Sequence, residues 1–172
     1  MAGSLIKIDE LDVTVATTSM TITGIDSTYD VYQLIVTRLT HSTSSFGRDV
    51  YMRVTESGTA NSTANYDIAY KDLNAGGAFG NTSATNQTYW KVRNFAGTSG
   101  DEYNFNFYLF NFNNSSEYSF MTMDNVGMIS TPSFYGGQGG GVFTSTSNCD
   151  GINLTFGGDS WTAKLVLYGL KK

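Results

Sequence analysis

The chain holds one histidine, His41, and one cysteine, Cys149, so nucleophile–base chemistry would have to be assembled from very few parts. A hydrolytic site needs a nucleophile held beside a base that a third group orients. Gly158-Asp159-Ser160 offers a serine in a Gly-Asp-Ser order, and His41 is the only imidazole that could serve it. Trp161 follows where such a nucleophile would need a flexible glycine, so the tripeptide reads as a β-turn ahead of a last strand. Cys149 sits among Asn148, Asp150 and Gly151, in a turn. An acidic neighbour raises a thiol pKa rather than activating it, and a lone cysteine makes neither an intrachain disulfide nor a multi-cysteine metal site.

Metal centres want several ligands converging at favoured spacing. Asp9, Glu10 and Asp12 are close in sequence, but strand alternation points Glu10 and Asp12 together and Asp9 away. They read as a solvated acidic turn, with an oxygen-only Ca²⁺ site in some loop left as the alternative. A sandwich-type glycosidase would need two facing carboxylates, and none of the acids lies midway along an aromatic-rich strand. The run Gly136-Gly137-Gln138-Gly139-Gly140-Gly141 has the composition of a phosphate-cradling loop. Such a loop must feed a helix whose N-terminus faces the anion, whereas Val142-Phe143-Thr144 is strand-like. The run therefore reads as a flexible or tightly packed loop. The expected catalytic, cofactor and metal sets are all empty, and an enzyme is the least favoured class.

The elements that would position any site follow from composition. Of 172 residues, 73 are Ser, Thr, Asn or Gly, and there is a single Pro. Charged residues make up 15% and aromatics 14%. Strand and turn formers dominate and strong helix formers are scarce. The net charge of −5 comes with cations scattered singly apart from Lys171-Lys172. Nucleic-acid binders instead concentrate Lys and Arg on one face, so direct nucleic-acid contact is not expected. MAGSLIKIDE has neither a basic nor an apolar leader region, and no stretch approaches ~18 apolar residues. The expectation is assembly in a bacterial cytoplasm, without membrane contact.

Period-two patterning runs along most of the chain. Strands are expected at 4–8, 11–15, 20–24, 29–39, 50–55, 66–71 and from Trp90 onward. In the 29–39 strand Tyr32, Leu34, Val36 and Arg38 share a face. The strongest signal is YNFNFYLFNF at 103–112, where Tyr103, Phe105, Phe107 and Leu109 form one face. A partner strand returns over 118–123 after the turn 113–116, and further strands follow at 152–156 and 161–170. Residues 41–47 read as a polar loop, 72–88 as an exposed excursion, and 134–148 as another loop. The result is an all-β, jelly-roll-like antiparallel β-sandwich of about nine to eleven strands, one domain spanning 1–172.

Two contact features stand out. Leu5, Ile6 and Ile8 alternate without turn signals, so residues 1–10 form a candidate docking arm able to add a strand to a partner's sheet. The tyrosines and tryptophans exceed what core filling needs, and exposed Tyr among Ser, Asn and Gly makes an adaptable contact surface. Trp90 and Trp161 are the candidate stacking platforms for sugar rings.

The opening MAGSLIKI, the strand STYDVYQLIVTRL, the segment ANYDIAYKDL and the ending WTAKLVLYGLKK together resemble small virion proteins of tailed bacteriophages, especially phages of marine bacteria. The resemblance implies a non-enzymatic virion structural protein, such as a capsid decoration or cement protein, a head fibre or a tail-fibre component. It implies attachment to the major capsid protein or other virion proteins, and oligomerisation, with a trimer favoured. The alternative is a receptor- or glycan-binding module of a head or tail fibre; a third is a cellular sandwich lectin.

Overall fold

A computed structural model of the chain describes residues 4–42, 48–77, 79–95, 101–129 and 133–171, and every regular element in them is a β-strand. Residues 1–3 of the expected arm, 43–47 of the expected polar loop and Lys172 lie outside the described residues. Thirteen strands follow in order: β1 (Ser4–Thr17), β2 (Ser19–Thr23), β3 (Val31–His41), β4 (Arg48–Glu56), β5 (Thr59–Ala60), β6 (Tyr66–Asn74), β7 (Gly80–Gln87), β8 (Trp90–Phe95), β9 (Glu102–Phe110), β10 (Ser119–Ile129), β11 (Ser133–Phe143), β12 (Gly151–Phe156) and β13 (Trp161–Lys171).

Eight strands form a large antiparallel sheet in the order β1-β13-β3-β9-β10-β11-β6-β7, and the others form a small sheet, β2-β12-β4-β5, with β8 also pairing β4. The expected all-β sandwich is the observed architecture. Its two sheets share one core, to which β9 contributes Tyr103, Phe105, Phe107 and Leu109, and the small sheet contributes Val50, Met52, Val54, Ile152 and Leu154. The alternation of YNFNFYLF dictates this, because successive side chains of a strand point to opposite faces.

Strict alternation fails once, in β3. Tyr32, Leu34 and Val36 point inward, but so do Leu39 and His41, and the pairing with β9 slips between Val36 and Leu39. Arg38, with φ of 54°, is the extra residue of a β-bulge. The bulge turns its guanidinium out to Asp12 at 2.8 Å instead of into the apolar face with Val36.

Three expectations need correction. Residues 134–148 are not one loop, because β11 spans most of them and carries the glycine run between β10 and β6. The run is close-packed backbone: a Cβ on Gly139 would stand 2.3 Å from the Ala69 carbonyl oxygen, and one on Gly141 would stand 2.7 Å from Trp90 Nε1. The stretch 72–88 is a hairpin, the end of β6 and all of β7, with Ala84 packed on the core. Residues 4–10 are not a free arm. They begin β1, whose partners run from Ser4 opposite Lys171 to Thr17 opposite Trp161. Partners so distant in sequence leave no local turn signal, which is why the segment looks unattached.

Candidate interaction surface

The groups able to do covalent chemistry are sealed inside. His41 ends β3 and lies directly opposite Trp161, whose ring covers it at 5.0 Å between centroids. Its Nδ1 is 3.7 Å from the Asp159 carboxylate, and only 2% of the residue is exposed. Asp159 in turn accepts the Ser160 backbone N–H at 2.7 Å, within the expected turn. The histidine thus has no open side from which a substrate could approach. Cys149 is fully buried, and loss of hydration pushes its thiol up to about 11, only partly offset by contacts with Ser147 and Ser119. At neutral pH it stays protonated and unreactive.

The acidic segment is exposed and ion-paired. Glu10 bonds Lys164 at 2.7 Å and Lys7 at 3.3 Å, and both hold its carboxyl below the usual range. Asp12 meets Arg38. Among the described residues no three His, Cys, Asp or Glu side chains gather in a way that could hold a metal ion.

Trp90 and Trp161 are both core residues with no exposed surface, which corrects their assignment as stacking platforms. Trp90 Nε1 donates to the carbonyls of Asp67 (3.1 Å) and Val142 (3.2 Å), and Trp161 stacks on Phe156. Alternation identified which residues share a face, but both faces of these strands carry large side chains, and the inner one took the indoles. Tyr32, Tyr66, Tyr70 and Tyr103 are likewise core residues. Of the arm residues, Leu5 and Ile6 are exposed on β1 while Ile8 packs against the core.

The aromatic and aliphatic groups that do reach solvent lie largely on the outer face of the large sheet. The sequence shows a strand at 118–123, but β10 continues to Ile129 and is apolar on both sides. Met121 and Met123 point inward, and Phe120, Val126 and Met128 point outward with 44%, 48% and 53% of their surface exposed. Met128 stands opposite Phe134, itself exposed, and Val126 stands opposite Gly136. Because Gly136 has no side chain, Phe134 and Leu73 close over it, within 3.4 and 3.6 Å of where a Cβ would be. The result is an apolar cluster of Leu73, Val126, Met128 and Phe134.

A polar belt separates this cluster from a second. Gln138 donates to Asp124 at 2.9 Å and Gln33 donates to Asn106 at 2.7 Å. Beyond the belt, Phe120 lies between Phe110 and Val142 in register, with Tyr108 and Tyr118 also exposed. A flat sheet face that presents two apolar clusters around a satisfied polar belt has the make-up of a protein-contact surface. Sequence reasoning missed Val126, Met128 and Phe134, although the outward alternation Phe120, Thr122, Asp124, Val126, Met128 carried the signal. No family model matches the chain, and neither a curated protein nor a solved structure is detectably similar to it.

Proposed function

We propose that this chain is a non-enzymatic structural protein of a bacteriophage virion, a decoration or cement protein attached to the capsid surface. The observation that carries the reading is the exposed cluster of Val126, Met128 and Phe134 on a sheet of eight strands. Large outward apolar side chains lower the solubility of an isolated domain and stabilise it when covered. A rigid sheet holds them in place, so little ordering entropy opposes docking. The burial of His41 and Cys149 fits a part whose task is contact rather than turnover. The four segments that resemble phage virion proteins supply the identity of the partner, the major capsid protein or a neighbour in the shell.

Self-association belongs to the same proposal. β7 is an outer strand of eight residues with no charge and no proline, whereas β1 at the opposite edge carries Lys7, Asp9, Glu10 and Asp12. Charges and proline guard sheet edges against pairing, so β7 is the edge open to a second copy, in a trimer around a symmetry axis.

Antibodies against the purified chain, applied to intact particles and viewed by electron microscopy, test the reading. Gold distributed over the whole head is the expected result. Label confined to fibre tips, or absent from intact particles, overturns it.

A further inference from the structure

One surface feature remains outside the docking cluster. Where β9 ends and β10 begins, Asn111, Ser116, Glu117, Tyr118, Phe120 and Thr146 line an open cleft of about 540 Å³, within the range of small-ligand sites, ~300–1,000 Å³. From this geometry we infer a binding site for a neutral carbohydrate, with Tyr118 and Phe120 as the stacking platform. The inference is independent of the capsid reading: a capsid protein without sugar affinity fails here alone.

The cleft is held ready by its backbone. Cys149 N–H donates to the Phe112 carbonyl at 2.7 Å, and Asn113 bridges to Asn148, so the two walls are tied together. Inside the β9–β10 connection, Asn114 accepts from Ser116 N–H at 2.9 Å and donates to Glu117 at 3.1 Å. Phe112 anchors the connection from below, fully buried near the Trp90 ring. Asn111 sits in the left-handed region at φ of 61°, a conformation that costs free energy in a non-glycine residue and concentrates at functional sites. A pre-organised cleft loses little entropy when a ligand enters.

The chemistry of the lining selects the ligand. Tyr118 and Phe120, two residues apart in extended chain, present large ring surfaces on the same side. The C–H face of a pyranose is apolar and fits such rings, while its hydroxyls require groups that both donate and accept. The Asn111 amide and the Ser116 and Thr146 hydroxyls are of that kind. Among the described residues none of these three side chains is engaged in an intramolecular hydrogen bond, so all are available to a ligand. Glu117 adds a carboxylate acceptor. A nucleobase would also stack on aromatic rings, but single-stranded nucleic acids need cations along the groove. No Lys or Arg lines this cleft, and Glu117 repels phosphate, sulfate and carboxylate. The charge pattern therefore favours a neutral sugar over a nucleic acid or an anionic glycan.

Affinity electrophoresis of the whole chain in gels containing dextran, mannan or galactan, with alginate and dextran sulfate as anionic counterparts, tests the inference. Retardation is expected in at least one neutral polysaccharide and in neither anionic one. Tyr118→Ala and the cleft-filling Thr146→Trp should each weaken it by about tenfold or more, with near-UV circular dichroism unchanged, while Tyr118→Phe retains it. Thr146 is exposed, so Thr146→Trp decides the question if Tyr118→Ala disturbs folding. No retardation in any neutral gel, equal retardation of Thr146→Trp, or stronger binding to the anionic polymers or to single-stranded DNA overturns the assignment.

Discussion

Gly139→Ala is expected to destabilise the fold by about 3 kcal/mol or more, seen as a lower urea midpoint with an unchanged slope. Gly139 lies in the middle of β11, opposite Met123 on one side and Tyr70 on the other. An added Cβ would come within 2.3 Å of both the Ala69 carbonyl oxygen and Tyr70 Cβ, and within 2.5 Å of Tyr70 Cα. Backbone of a neighbouring strand cannot yield as the tip of a flexible side chain can, so β6 or β11 has to move and its ladder hydrogen bonds weaken. The flexible-loop reading of the glycine run predicts the opposite sign. Alanine in a loop restricts the unfolded chain and stabilises slightly. Gly76 is the matched control: its added Cβ would meet only Asn74 Oδ1, at an ordinary 3.6 Å, and Gly76→Ala should shift stability by no more than ~0.5 kcal/mol. Equal effects at the two positions would show that β11 is not the packed strand described.

The other large effect is expected for Trp90→Ala, at about 3–5 kcal/mol. The indole is fully buried, stands edge-on to Tyr66 at 5.0 Å between centroids and bonds two main-chain carbonyls. Its place exists because residue 141 is glycine, so ring and glycine form one packing unit. Truncation removes the apolar contacts and leaves a cavity that the sheets on either side cannot collapse into. Against a total stability of ~5–15 kcal/mol for a domain, a loss of this size is a large share of the whole. Trp90→Phe should cost less, since it keeps an aromatic ring and loses chiefly the two hydrogen bonds. If Trp90→Ala leaves the unfolding midpoint in place, the indole is a surface residue and the core has been drawn wrongly.

How far the sequence discloses the fold depends on side-chain contrast. β9 is legible residue by residue, because Tyr103, Phe105, Phe107 and Leu109 alternate with Asn104 and Asn106. β11 is hidden because glycine carries no side chain: with Gly at 136, 137, 139, 140 and 141, no period can show. β7 is hidden for a related reason, since its inward positions Gly80, Thr82 and Ala84 differ little in polarity from Asn81, Ser83 and Thr85. The Arg38 bulge cannot be read locally, because it is defined by register against β9 and β13. Alternation also leaves open which face of a strand looks inward when both are large, and that misplaced Trp90 and Trp161.

The contact surface was legible only in part. Leu5 and Ile6 are exposed, but on a strand bonded along its length to β13. The larger exposed clusters come from β10 and β11 side by side, a pairing visible only after the glycine run is recognised as strand.

The direct test of attachment through the outer face is the double variant Val126→Asp, Met128→Asp, mixed with phage particles stripped of the chain and measured by co-sedimentation. Both side chains are about half exposed, so the fold should change by no more than ~0.5 kcal/mol per site. Two carboxylates inside the contact should reduce the particle-bound fraction at least about tenfold. Co-sedimentation equal to that of the unaltered chain, with the fold intact, contradicts an adhesive role for this face.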